Sequence, residues 1–186
     1  MSTLDRIGVI LLAAGRSTRF GDGDKLAKNW RGKPLMRHAA DNLAALPFST
    51  HLAVVPVTFK LDLPSQFERI ENPEPQRGLS HSISLGISEI RRHDIDACLI
   101  ALADMPLVPR SHFGALAEAV TNLANTIVGT GNAGRPQVPA LFGRAHFDAL
   151  QALEGDGGAS ALLQTACKVD CDPALLADFD RPEDFV

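Results

Sequence analysis

The chain has 186 residues and a formal net charge of −4 at pH 7, enough length to bury a core without disulfide or metal staples. The mild acidity argues against a nucleic-acid or membrane-surface protein, which would carry a broad excess of Lys and Arg, and no apolar run approaches the roughly 18 residues of a membrane span. Three cysteines, an odd number, make no disulfide framework, and Cys167 and Cys171 lack a companion pair for zinc. Reduced thiols and a cytoplasmic location are therefore expected. Asp5 and Arg6 stand directly before the first apolar run, so no cleavable leader is expected.

In chain order, Ile7–Ala13 reads as a buried strand. Pro34 suits the first turn of a helix that carries Leu35, Met36, Ala39, Leu43 and Leu46 on one side. His51–Val57 is a second strand, and 58–64 and 72–77 read as surface connections. Gly78 to Ile90 reads as a loop entering a helix, with Ile83, Ile87 and Ile90 facing inward. Ala97–Leu102 is a third strand. After the Pro106–Pro109 turn, Ser111 stands near the start of a helix marked by Phe113, Leu116, Ala117, Val120 and Leu123. Thr126–Gly129 and Val138–Phe142 are further strands, and Arg144–Leu153 and Ala159–Ala166 fit helices separated by Gly155, Gly157 and Gly158. Strands alternating with helix-period segments predict an α/β chain, a mostly parallel sheet flanked by helices, in a single domain over 1–186.

Two places carry chemistry. The strand ending in Leu12 empties into Ala13, Ala14 and Gly15, whose small side chains let backbone N–H groups approach phosphate oxygens or a base edge. Arg16, Arg19 and Lys25 follow at once and offset a triphosphate's charge. Neither G-x-x-x-x-G-K-[ST] nor G-x-G-x-x-G occurs, so a different nucleotide fold is indicated. The second place is Ala101-Leu102-Ala103-Asp104-Met105-Pro106, which delivers one carboxylate at a strand's carboxyl end, where parallel sheets collect ligands. Asp104 there suits Mg²⁺ bridging phosphate oxygens.

Leu12-Ala13-Ala14-Gly15-Arg16-Ser17-Thr18-Arg19-Phe20-Gly21, with Asp24-Lys25-Leu26 shortly after, resembles the signature of the nucleotidyltransferase (NTP transferase) superfamily. Within it the chain most resembles the molybdenum cofactor cytidylyltransferases and the molybdopterin nucleotidyltransferases. The resemblance implies a Rossmann-like domain that uses Mg²⁺ to transfer a nucleoside monophosphate from a triphosphate to a phosphorylated acceptor. It implies catalytic roles for Arg19, Lys25 and Asp104. Asp180, within Asp178-Phe179-Asp180-Arg181-Pro182-Glu183-Asp184, matches a second metal ligand beside Asp104. The segment from Gly78 to Ile83 resembles G-[ML]-x-x-S-[LI]. It adds Gly78 and Ser82 to a nucleotide-binding set of Leu12, Ala13, Ala14, Gly15, Arg16 and Lys25; His81 matches nothing and carries no expected role.

The resemblance also bears on both substrates. Ala14 stands where guanylyl-transferring relatives have glycine, so CTP is expected over GTP, with molybdopterin as acceptor and a molybdoenzyme or its chaperone as onward partner. The segments 134–142 and 155–160 resemble two acceptor-side loops. Two departures stand out, Met105 for a usual glutamine and Ser160 for a usual arginine. Either Arg135 or Arg144 replaces the lost charge, or the acceptor differs. The alternatives are cytidylyl or uridylyl transfer to a sugar or polyol phosphate, a GTP-using molybdopterin guanylyltransferase, and a nucleotide- or pterin-binding chaperone without turnover.

Overall fold

The computed structural model describes residues 3–15, 24–132 and 134–185. Strand β1 is Ile7–Leu12; β2 (Asn29–Trp30) and β3 (Lys33–Pro34) form a small hairpin; helix α1 spans Leu35–Ala44. Then come β4 (Thr50–Pro56), β5 (Phe67–Asn72), α2 (Leu79–Ile90), β6 (Ala97–Leu102) and α3 (Arg110–Glu118). The last part holds β7 (Ile127–Asn132), β8 (Arg135–Gly143), α4 (Phe147–Gln151), α5 (Ser160–Leu163) and β9 (Cys167–Asp170).

Seven strands form one sheet in the order β5-β4-β1-β6-β8-β7-β9. Strands β5, β4, β1 and β6 pair in parallel, β8 runs against both neighbours, and β9 pairs in parallel with β7. The fold is therefore the α/β sheet, mostly parallel and flanked by helices, that the sequence predicts. Strand β1 lies at its centre and is buried over its whole length. Its period-2 geometry sends Ile7, Val9, Leu11 and Ala13 into one apolar layer with α1 and α3, and Ile10, Leu12 and Ala14 into the other with α2 and α4. The α2 layer is close: a Cβ on Gly86 would sit 2.7 Å from the Cγ2 of Ile10.

The outer elements differ from the expectations. Strand β5 (Phe-Glu-Arg-Ile-Glu-Asn) is an edge strand whose alternating charges hide its period, and Asn72, expected in a surface connection, is fully buried at its end. Helix α3 stops at Glu118, so Val120 and Leu123 pack against the core from a turn. The segment 144–153 is a 3₁₀ turn leading into a five-residue helix, and 159–166 holds only the four residues of α5 before the edge strand β9. The strand expected over Val138–Phe142 is longer, β8 running from Arg135 to Gly143, so the stretch 134–142 likened to a loop lies almost wholly in it. Among the described residues no helix is long and apolar enough to cross a membrane.

Candidate active site

The carboxyl ends of β1 and β6 open into a cavity of about 530 Å³. Leu12, Ala13, Ala14, Gly15, Lys25, Gly78, Ser82, Asp104 and Asp180 all line it. Arg16 and Arg19 lie outside the described residues. The floor is stitched to the sheet: Ala13 N–H donates to the Val54 carbonyl at 2.8 Å, and Ala103 N–H donates to the Leu12 carbonyl at 3.1 Å. Ala14 is buried while Gly15 is exposed. Backbone therefore meets the cavity where the side chains shrink.

Lys25 is positioned by its neighbours. The Asp24 carboxylate accepts from Leu26 N–H at 3.0 Å and caps a short 3₁₀ turn, and Leu26 is buried in the core. That turn carries Lys25 inward until its side chain is only 9 % exposed. Its Nζ donates to Asp104 Oδ2 and to Asp180 Oδ1, at 2.7 Å each.

The two carboxylates arrive from distant parts of the chain. Asp104 sits between Ala103 and Met105, both buried, which turns it toward the cavity. Met105 packs in the core and does not line the cavity, so the departure from glutamine falls here on packing. Asp180 is delivered by Phe179, whose N–H donates to the Asp104 carbonyl at 3.0 Å and whose ring packs edge-on against Trp30 and Phe185. Beyond it, the Asp184 carboxylate accepts from the N–H groups of Asp180 and Arg181 at 2.8 and 2.7 Å. The acidic ending is thus a pinned turn, with Phe179 as the pin.

Asp178, on the other side of that pin, is a member of the cluster that the sequence reading passed over. It reaches solvent, yet the protein packed around it, with Asp104 and Asp180 adding repulsion against some relief from Lys25, pushes its carboxyl up to about 6. Its i, i+2 relation to Asp180 was the available signal. Burial works against the Lys25 ammonium, and Asp104 and Asp180 together outweigh it, so its pKa lies above the ordinary lysine value. Among the described residues negative charge is therefore in excess here, with one cation already held between two carboxylates. No three His, Cys, Asp or Glu side chains among the described residues form a ready metal cage. A pair of carboxylates is what a hard divalent ion uses when phosphates and water complete its shell, so the residues fit such an ion.

The wall opposite comes from two loops held together. Gly78 has φ +88°, and a Cβ there would press on Asp156 and stand 2.9 Å from the Gly155 carbonyl. Ser80 N–H donates to that carbonyl at 3.2 Å. The tight approach at Gly78 is therefore made by the 155–156 loop, which places Asp156 on the cavity, a residue the sequence did not single out. Ser82 is buried and accepts from Asn72 Nδ2 at 3.0 Å. Pro75 and Gln76 also line the cavity, so 72–77 is part of the site as well as a connection. His81 stands 4.0 Å from the Glu74 carboxylate and does not line the cavity.

Of the two arginines expected to replace a charge at residue 160, Arg144 is spent on structure, donating to the backbone carbonyls of Ile95, Arg91 and His93. Arg135 instead shares a second cavity with Ser160.

A cavity at the carboxyl edge of a mostly parallel sheet, floored by small residues and faced by carboxylates, defines the class of α/β proteins that seat ligands where strands end. The chain belongs to the MobA-like NTP transferase domain family, which it matches over residues 9–171; Asp178 and Asp180 lie just beyond that span. It is 25% identical to the purine catabolism protein PucB of Bacillus subtilis, over 95% of this chain and 92% of the relative. Among solved structures, Rv0371c of Mycobacterium tuberculosis superposes with a TM-score of 0.78 at 21% identity, covering 97% of this chain and 96% of that one. The same protein in complex with manganese gives 0.70 at 20% identity, over 90% and 89%. A 4-diphosphocytidyl-2C-methyl-D-erythritol synthase from Anaerococcus prevotii gives 0.74 at 11% identity, over 100% and 96%.

Proposed function

We propose that residues 1–186 act as one nucleotidyltransferase unit that moves CMP from CTP onto the terminal phosphate of a molybdopterin-type acceptor and releases pyrophosphate, with Mg²⁺. The observation that carries the reading is the Lys25 ammonium held at 2.7 Å by both Asp104 and Asp180 on the edge of the cavity. Asp104 and Asp180 would hold the divalent ion, which would supply positive charge to phosphate oxygens. Manganese in the Rv0371c complex supports a divalent ion in that relative.

Backbone N–H groups at Ala14 and Gly15 would receive the nucleotide, and the Ala14 methyl would narrow the base seat in favour of cytosine. An acceptor phosphate oxygen attacks the α-phosphorus in line, forming one P–O bond as the bond to the β-phosphate oxygen breaks. The electron pair leaves with pyrophosphate. The attacking phosphate is already ionised at neutral pH, so no protein base has to take a proton, and alignment with charge neutralisation supplies the rate. Lys25, together with Arg19 and Arg16, would carry charge toward the leaving pyrophosphate.

Ser160, in place of an arginine, favours one second reading, in which the acceptor is a sugar or polyol phosphate. A single assay separates the readings: pyrophosphate release from each of the four ribonucleoside triphosphates, with molybdopterin or a polyol phosphate, in Mg²⁺ and in chelator. Release with CTP and molybdopterin that chelator abolishes supports the proposal, and release with a polyol phosphate alone moves it to the second reading. GTP preference would assign a guanylyltransferase, and no release from any pair would leave a binding protein.

A further inference from the structure

The second cavity, of about 790 Å³, is lined by Arg135, Gln137, Ser160, Gln164 and Lys168 with Gly134 and Pro136. Among the described residues its charge is opposite to that of the first. Asp104, Asp156 and Asp180 face the first cavity against the Lys25 ammonium, whereas the second presents a guanidinium and an ammonium and no carboxylate. Lys168 Nζ donates to the Gly134 carbonyl at 2.7 Å, which leaves it further N–H donors. Among the described residues neither Arg135 nor Lys168 is ion-paired. Asp170, the carboxylate two residues along β9, lies against Gly131 and does not line the cavity.

The two cavities are neighbours by construction. Strand β8 runs antiparallel beside β6, with Ile100 opposite Ala140, so the start of β8 lies at the sheet edge where β6 delivers Asp104. Arg135, the first residue of β8, pairs with Asn132 at that edge, and Lys168 stands near the start of β9, opposite Gly129. Leu163 of α5 packs in the same apolar layer as Ile83 and Ile87 of α2, so α5, which lines the second cavity, lies on the α2 face of the sheet. The loop 155–160 divides them, with Asp156 on one side and Ser160 on the other.

We propose that the second cavity is an anion site for a phosphate monoester, with Arg135 and Lys168 neutralising the phosphate and Gln137, Gln164 and Ser160 meeting a hydrogen-bonding polar body. The size is that of a site for a small organic ligand, well beyond a lone phosphate. The anion site does not rest on the transferase reading.

Backbone amide NMR with inorganic phosphate and with glycerol phosphate as probes tests the site directly. Both are expected to shift the amides of Gly134, Arg135, Ser160, Gln164 and Lys168, and Arg135→Gln with Lys168→Gln is expected to weaken binding about tenfold or more, as for loss of charge-assisted contacts. CTP is expected to shift Ala14, Gly15 and Gly78 equally in both proteins. Phosphate shifts confined to Ala14, Gly15 and Gly78, or an unchanged affinity in the double variant with its amide spectrum otherwise intact, would overturn the proposal. Phosphate binding at these residues in a chain that releases no pyrophosphate would refute the transferase reading and leave the anion site standing.

Discussion

The parallel half of the sheet (β5, β4, β1, β6) and the mixed half (β8, β7, β9) meet at β6, and they are built differently. In the parallel half, β1 and β6 are covered on both faces, and Asp104 stands two residues beyond the end of β6. In the mixed half, β8 starts exposed and becomes buried only toward Gly143, β9 has four residues with none buried, and α5 is a single turn. A buried frame holds Asp104 and the short outer elements carry the polar second cavity. The outer edge can then vary without disturbing the carboxyl end of β6.

The largest separation should come from Asp104→Asn. It is expected to lower turnover by about 10² or more at nearly unchanged thermal stability, because a charged contact at the phosphates is lost while the strand stays packed. Near-normal turnover in steady-state assays would reduce Asp104 to a turn residue. Lys25→Met should act on both rate and fold. Asp104 and Asp180 lose their common partner, so melting in chelator should fall by the equivalent of about 1–2 kcal/mol, less than for a fully buried pair, because the Asp180 side chain is 37 % exposed. Added Mg²⁺ should recover most of that loss, and a melting point indifferent to Mg²⁺ would speak against a cation seat between the two carboxylates.

Gly78→Ala probes the seam between the halves. With φ at +88° and the Gly155 carbonyl in the way, it is expected to cost about 1–3 kcal/mol in urea unfolding and to raise KM for the nucleotide. Ala14→Gly probes the donor seat more gently, with GTP use relative to CTP rising a few-fold, on the order of one small contact.

The smallest effect is a pH slope present in both halves. His51 in the parallel half and His112 in the mixed half are buried, which lowers both pKa values below the ordinary histidine value and keeps the rings neutral. His112 Nε2 lies 2.8 Å from Thr130 Oγ1, and that hydroxyl donates to the Pro139 carbonyl at 2.6 Å, so the neutral ring is the donor to Thr130. Their stabilisation is present above about pH 6.5, the unfolded value, and is lost as pH falls through the lower folded values. Melting points should therefore decline below pH 6.5, less steeply in His112→Gln; an equal slope would assign the decline to other groups.

What the sequence made legible follows the same division. Continuous apolar runs at β1, β4 and β6 identified the frame, because strands buried on both faces leave no polar alternation to confuse them. Strand β5 escaped because its exposed Glu68, Arg69 and Glu71 leave no apolar run, and β9 because Cys167-Lys168-Val169-Asp170 is too short to show a period. Val120 and Leu123 extended α3 on paper because they bury apolar surface from a turn, which spacing does not distinguish from a helix. At the site, the small-residue floor, Lys25, Asp104 and Asp180 were visible as motifs. The pairing of Lys25 with both carboxylates was not, because Phe179 and Trp30 bring the chain's end to β6 through packing that no local pattern encodes. Asp156 was hidden likewise, since loop contact decides which cavity it lines.

The central claim is that Asp104 and Asp180 form one cation seat that works with a bound nucleotide. Electron paramagnetic resonance of free Mn²⁺, titrated against the protein with CTP present, measures that seat without requiring turnover. A saturable site in the wild type, weakened about tenfold or more in both Asp104→Asn and Asp180→Asn, is the predicted result. Wild-type Mn²⁺ affinity retained in both variants would contradict it.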